Sequence, residues 1–345
     1  MKLIVQIPCY NEEETLPVTV ADIPRYIPGI DTIEILVIDD GSRDRTVEVA
    51  HQLGVDHVVR HICNRGLART FRTGLDAAVK LGADIIVNTD ADNQYCGADI
   101  AKLVEPILRG EAQIVVGDRQ TDTIAHFSGF KKVLQRFGSA VVRRLSETDV
   151  VDTVSGFRAF SRDAALQLNI VSPFSYTIET VIQAGKKGMA VVSVPIRTNG
   201  KTRESRLFKS IPHFLKNSGA TIVRMYSMYQ PLRVFFYLSL LLIGIGSLPV
   251  IRFLYFYFQG GGAGHIQSLV LGGVLIITGA IAGMIGLVAD LISFNRQLIE
   301  ITLEKVRRLE TSATWRDDLG VQRDRRIERA SDRHLADEVP TSSVG

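Results

Sequence analysis

The chain is poor in the residues that staple or stiffen a small fold. Its 345 residues include three cysteines, one tryptophan and eleven prolines. Cys9, Cys63 and Cys96 are odd in number and lack a framework spacing, which excludes a disulfide scaffold and fits reduced thiols in the cytosol. The apolar run after Lys2 is only a strand long, so no signal peptide is expected ahead of the fold. A dominant charge sign is also missing. Forty Lys and Arg against 37 Asp and Glu leave +3, and no nucleic-acid partner is expected. Yet mean hydropathy is +0.14 although 22% of residues are charged, so the apolar residues must be concentrated in segments.

Two such segments stand in the last third. Val234 to Ile251 is almost wholly apolar, and Arg252 is followed by Phe253-Leu254-Tyr255-Phe256-Tyr257-Phe258; a second run extends from Leu269 to Ala289. Spans of about 234–258 and 269–289 approach the roughly 20 residues that cross a bilayer. The alternative, a buried helical hairpin in a large soluble core, fits such lengths poorly. The connection Gln259 to Ser268 carries no Lys or Arg, whereas Arg197, Lys201, Arg203, Arg206, Lys209, Lys216, Arg224 and Arg233 precede the first run and Arg296, Lys305, Arg307 and Arg308 follow the second. The positive-inside rule then puts both flanks and both termini in the cytosol, with Arg252 snorkelling to the far interface. Gly279 and Gly283 fit close helix packing and suggest a homo-oligomer.

The chain divides accordingly into a domain over 1–200, a basic apolar segment over 201–231, a hairpin over 232–292 and a cytosolic helix with a disordered tail over 293–345. The 201–231 segment, with Leu207-Phe208-Lys209 and Ile222-Val223-Arg224-Met225-Tyr226, can lie among lipid headgroups or pack on the domain as an ordinary amphipathic helix. Disorder is expected from Thr311 onward, where both charge signs are dense and aliphatics few.

In the first 120 residues, three apolar strands end in polar or acidic residues. Leu3–Ile7 is stopped by Pro8 and leads into Cys9-Tyr10-Asn11-Glu12. Ile35–Ile38 leads into Asp39-Asp40-Gly41-Ser42, with Asp44 placed to cap a helix at Thr46. Asp84–Thr89 leads into Asp90-Ala91-Asp92. Helical patterns between the strands predict an α/β, doubly wound parallel sheet whose acidic ends share one edge. Asp-x-Asp alone fits a solvated turn as well as a hard-cation ligand pair; the other two strand ends favour the ligand.

Together Pro8-Cys9-Tyr10-Asn11-Glu12, Asp39-Asp40-Gly41-Ser42-Arg43-Asp44 and Asp90-Ala91-Asp92 resemble family 2 glycosyltransferases of the GT-A fold. Asp152-Thr153-Val154-Ser155-Gly156-Phe157-Arg158 looks like the acceptor loop of the polyprenyl-phosphate branch. The resemblance implies a GT-A nucleotide-sugar domain followed by a transmembrane hairpin, and inverting, metal-dependent sugar transfer to a polyprenyl phosphate. It implies UDP-glucose as the favoured donor, Mg2+ or Mn2+ as cofactor, and Asp90, Asp92 and Gln94 as metal-binding groups. Pro8, Tyr10, Asn11, Glu12, Asp39, Asp40 and Ala91 would line the nucleotide pocket; Asp40 can instead satisfy the turn at Gly41. Asp90, Asp92 and Arg119 would be catalytic. A lipid phosphate, with a second pKa of about 6, needs docking cations and no general base; Arg119, Ser155, Arg158, Arg203 and Arg206 are the candidates.

The pattern has departures. Asn93 and Tyr95 flank Gln94 where relatives often carry Leu and His, and Arg206 stands where they commonly have Lys. Processive polysaccharide synthases carry Gln-x-x-Arg-Trp, but the single tryptophan, Trp315, lies in the tail without it. A transferase with a soluble acceptor would leave the acceptor-like loop beside a membrane hairpin unexplained. A non-catalytic membrane scaffold would have no use for the intact acidic loops.

Overall fold

A computed structural model describes residues 1–120, 142–143, 145–172, 176–199, 219–220, 224, 226–260 and 262–336. The expected interfacial segment lies mostly outside the described residues, as do Arg203 and Arg206. The domain is built on a seven-stranded sheet. Its strands are β1 (Lys2–Cys9), β2 (Thr32–Asp39), β3 (His57–Arg60), β4 (Ile85–Asn88), β5 (Ile114–Asp118), β6 (Arg158–Ser161) and β7 (Val191–Pro195). They lie in the order β3-β2-β1-β4-β6-β5-β7. The sheet is not wholly parallel: β6 runs antiparallel to both β4 and β5. The chain winds outward from β1 through β2 to β3, then restarts at β4 on the other side. The ends of β1 and β4 therefore flank a topological switch point, where ligands bind in such sheets.

Alternation along the strands feeds two cores. Ile4, Leu36, Ile38 and Ile86 pack with α3 (Leu67–Lys80), α5 (Arg162–Gln167) and α6 (Thr177–Lys186) on one face. Leu3, Val5, Ile7, Ile35 and Val37 pack with α1 (Leu16–Asp22) and α4 (Ile100–Leu108) on the other. Contrary to expectation, β1 continues through Pro8, which pairs in register with Ile38. On its other side, β1 pairs with β4 only as far as Gln6 opposite Asn88, so the missing N–H of Pro8 breaks no ladder there. At α2 (Thr46–Gln52) the N-cap is Arg45 and not the expected Asp44, which stands one residue ahead and accepts the Thr46 N–H on Oδ1 at 3.1 Å.

After the domain come two long helices, α7 (Pro231–Phe258) and α8 (Ile266–Ala336), joined by a short 3-10 turn, Gly262–His265. Both are long and apolar enough to cross a membrane, and only 11% and 22% of their most apolar windows are buried. Side chains such as Phe236, Leu240, Val274 and Met284 face outward, which argues against a core hairpin of a soluble fold. The glycines are used inside the hairpin. A Cβ at Gly279 would meet Ile243 Cγ1 at 2.8 Å, and one at Gly272 would meet the Gly246 carbonyl at 2.6 Å. Gly279 and Gly283 thus face α7 of the same chain, and their spacing is explained without a second subunit.

The helix α8 extends into the segment expected as a tail. It is continuous to Ala336, about 100 Å at 1.5 Å per residue. No proline interrupts it, and the stretch after Thr311 is rich in Arg and includes Leu and Ala, which lose little side-chain freedom in a helix. Beyond the apolar part it docks on the domain. The Arg307 Nη1 donates to the Leu166 and Leu168 carbonyls at 3.1 Å each, at the C-terminus of α5. Arg308 pairs with Asp163 at 2.8 Å and Glu300 with Lys187 at 2.9 Å. Nearer the hairpin, Ser293 Oγ donates to the Met228 carbonyl and the Arg296 guanidinium lies 4.1 Å from the Tyr229 ring centre.

Candidate active site

The loops leaving β1 and β2 are cross-linked at the sheet edge. Asn11, at φ +54°, donates its N–H to Ser42 Oγ at 2.8 Å, and its Oδ1 accepts the Arg43 N–H at 2.9 Å. The Glu12 N–H bonds Thr46 Oγ1 at 2.8 Å, while its carboxylate, nearly buried, accepts from Thr15. The Tyr10 side chain is half-buried beside them, and Pro8 and Cys9 are buried at the end of the strand. Burial pushes the Cys9 thiol well up, helped by nearby Glu12 and Asp39. It is held protonated, a packing group and not a nucleophile.

The adjacent carboxylates Asp39 and Asp40 part company. The Asp39 side chain accepts the Ser42 N–H at 3.1 Å and lies 3.3 Å from Arg60 Nε, whose guanidinium is half exposed. Asp40 turns the other way. Its two oxygens accept the Arg65 and Gly66 N–H groups at 2.8 Å each, and Oδ1 also meets His61 Nδ1 at 2.8 Å. Asp40 thus anchors the loop entering α3, in place of the expected contact with nucleotide or with the Gly41 turn. The reason is topological: β3 pairs beside β2 and returns its loop against the back of Asp40. Gly41, at φ +72°, lets that loop pass, since a Cβ would lie 2.7 Å from the Cys63 carbonyl carbon.

At the end of β4, Asp90 is half-buried, Ala91 is buried with its carbonyl accepting from Thr19 Oγ1, and Asp92 is 9% exposed. Asp92 Oδ1 accepts the Gln94 N–H at 3.3 Å across a turn in which Asn93 has φ +53°. No three His, Cys, Asp or Glu side chains converge as a metal cage among the described residues. Two carboxylates and an amide on one loop are oxygen donors of the kind that would hold a hard divalent cation.

The Asp152–Arg158 loop closes over this edge. Gly156 sits against Asp90: a Cβ there would lie 3.0 Å from Asp90 Oδ2 and 3.0 Å from Tyr176 Oη. Its N–H bonds Tyr95 Oη at 3.0 Å, and its carbonyl takes bonds from Asn88 Nδ2 and Tyr176 Oη. Tyr95 stacks on Phe157 with centroids 5.0 Å apart, and burial followed by the charge of Asp90 pushes its hydroxyl up to about 12. Arg119 grips Asp152 in a two-pronged pair, Nε at 2.6 Å and Nη2 at 3.0 Å. Burial works against the Arg119 charge, yet Asp152, with Tyr95 and Asp90 nearby, raises its pKa overall.

Two acceptor-site expectations change. Arg158 is fully buried, and its guanidinium donates to the carbonyls of Thr153, Ser155 and Thr177 and to Thr180 Oγ1. Burial lowers its pKa to about 10. It props the loop from inside and does not meet a lipid phosphate, because β6 begins at Arg158 and its side chain enters the core facing α6. Ser155 is likewise fully buried. The structure brings Asp90, Arg119, Asp152 and Gly156 together, with Asp92 on the adjoining turn.

Several residues here escaped sequence reasoning. Asn88 bridges Gln6, Gly156 and Tyr176; Tyr95 braces the 152–158 loop; Asn199 reaches the Asn93–Tyr95 turn. A polar Asn inside an apolar strand was the one available signal, since buried amides need partners.

The glycosyl transferase family 2 profile matches residues 4–168. Over 213 residues the chain is 30% identical to the UDP-N-acetylglucosamine–dolichyl-phosphate N-acetylglucosaminyltransferase of Methanococcus voltae, covering 56% of this chain and 83% of that one. It is 27% identical over 206 residues to the polyprenol monophosphomannose synthase of Mycolicibacterium smegmatis, covering 56% and 76%. In fold it is similar to glucosyl-3-phosphoglycerate synthase of Mycobacterium tuberculosis, with a TM-score of 0.50, 21% identity, and 66% and 79% of the two chains covered. The fold is thus that of a GT-A α/β domain. The chain belongs to glycosyl transferase family 2 and is a glycosyltransferase.

Proposed function

We propose that this enzyme transfers a hexose, with inversion, from a nucleotide sugar to a polyprenyl phosphate at the cytosolic face of a membrane. UDP-glucose is the first donor to test. The observation that carries the reading is one of placement: an acidic strand-end site is tied, through α8, to a hairpin whose apolar side chains face outward. The two relatives described above, named for dolichyl or polyprenol phosphate acceptors, support the same acceptor class.

In this reading Asp39 receives the nucleobase, with Pro8, Tyr10, Asn11 and Glu12 around the nucleoside and Ala91 beneath it. Asp92, with Asp90 and Gln94, would hold Mg2+ or Mn2+, which when bound neutralises charge on the departing diphosphate. Asp90, pressed against Gly156, fixes the sugar side of the pocket. Asp152 orients the Arg119 fork, which supplies the cation that docks the acceptor phosphate. The phosphate is already largely dianionic at neutral pH, its second pKa being about 6, so no general base is required. The Arg-rich segment containing Arg203 and Arg206 would guide the lipid headgroup.

The test is transfer of label from a panel of nucleotide sugars into undecaprenyl phosphate, by purified enzyme in lipid, with Mn2+ or Mg2+. Metal-dependent label in the lipid phase is expected, reduced at least about 100-fold in Asp92→Ala. Nucleotide binding without transfer to lipid would turn the reading toward a non-lipid or polysaccharide acceptor, or toward a scaffold.

A further inference from the structure

The turn that carries Asp92 and Gln94 is held from outside by one side chain. Asn199 lies just beyond β7, and its backbone N–H donates to the Gln94 carbonyl at 2.9 Å. Its Nδ2 donates to the Asn93 carbonyl at 3.1 Å and to the Tyr95 carbonyl at 3.3 Å. One residue thus satisfies three consecutive carbonyls. An amide NH2 has the two donors needed to bridge the outer pair, which a hydroxyl or a carboxylate lacks.

The support behind Asn199 is rigid. Thr198 forms an antiparallel bridge with Tyr95, and the Arg197 carbonyl accepts the Cys96 N–H at 3.3 Å. Arg197 is in turn clamped to Asp99, a fully buried carboxylate, through its N–H at 2.6 Å and Nη2 at 2.9 Å. On the opposite side Tyr95 is pinned by Gly156. The turn between these supports contains Asn93 in the left-handed region, a conformation disfavoured without local bonding.

We propose that Asn199 is a positioning residue for the donor diphosphate: it holds the Asn93–Tyr95 turn so that Asp92 and Gln94 meet the metal-bound diphosphate in a fixed arrangement. The inference rests on the donor-site reading above. Asn199 is exposed and outside both cores, so its replacement leaves the sheet and the Asn11–Ser42 side of the pocket in place.

The experiment uses full-length protein in lipid nanodiscs and calorimetric binding of UDP and of GDP, each with and without Mn2+. Wild type, Asn199→Ala and the isosteric Asn199→Asp are compared, with thermal unfolding as a control on folding. Expected is an Mn2+-dependent gain in affinity for one nucleotide in wild type, cut about 10-fold in both variants while metal-free affinity is unchanged. Donor KM in the transfer assay rises in parallel. Variants that keep the full Mn2+-dependent gain overturn the role of Asn199. So does an equal loss of metal-free affinity, which marks a general structural effect. A wild type with no Mn2+-dependent gain for either nucleotide overturns the metal-site reading itself, a result distinct from the other two.

Discussion

Arg158 has a charge with no water to solvate it, and the compensation is four oxygen partners, two in its own loop and two on α6. Removing the guanidinium would leave the carbonyls of Thr153, Ser155 and Thr177 facing a cavity. Arg158→Met should therefore lower stability by about 3–5 kcal/mol, seen as a lower unfolding midpoint. A fully stable variant with only a raised acceptor KM would restore the docking role that the structure removes. The Arg119–Asp152 pair adds a pH dependence. Burial alone would raise the Asp152 pKa, but Arg119 and the Val154 N–H hold it below its ordinary 3.8. A carboxylate whose pKa is lower folded than unfolded stabilises above the unfolded value, and that stability is lost as pH falls through the folded value. Wild type should thus exceed Asp152→Asn by about 3 kcal/mol at neutral pH. The two stability curves should converge only as pH falls from the ordinary carboxylate range through the lowered folded value of Asp152. An offset that persists into acid would refute the assignment.

Among the elements, α8 combines two tasks: its first part packs on α7 through glycines, and its later turns dock on α5 and α6. Arg307 serves as a C-terminal cap for α5, satisfying carbonyls that a helix end leaves open. Asp163 at the start of α5 and Lys187 just after α6 add flanking ion pairs, partly exposed and individually weak. Arg307→Ala should open this junction without unfolding the sheet. Limited proteolysis of protein in nanodiscs should then cut α8 near Leu303–Thr311 several-fold faster than in wild type, with nucleotide affinity unchanged. Unchanged cleavage would mean that the apolar contacts of α8 suffice.

For the whole molecule, the consequence is orientation. A catalytic sheet fixed to one end of an outward-facing apolar hairpin can present its site to only one side of a bilayer. The Gly262–His265 turn should therefore lie across the membrane from the domain. In sealed vesicles, an impermeant thiol reagent should reach either Cys63, which is exposed on the domain, or Gly262→Cys in a Cys63→Ser, Cys96→Ser background, never both from the same side. Labelling of both from one side would rule out a spanning hairpin. Much of this plan was legible in the chain: apolar runs that end in polar or acidic residues predicted the strands and the shared edge, because period and burial are local properties. Hairpin length was legible for the same reason. Tertiary structure alone decided that β6 is antiparallel, that Asp40 faces the α3 loop and not the pocket, and that Arg158 points inward. It also brought Asn199 to the Asp92 turn and docked the cytosolic part of α8 on the domain through Arg307 and Arg308. Each of these depends on which strand lies beside which, and a side chain's partners across a sheet are set by packing between segments distant in sequence.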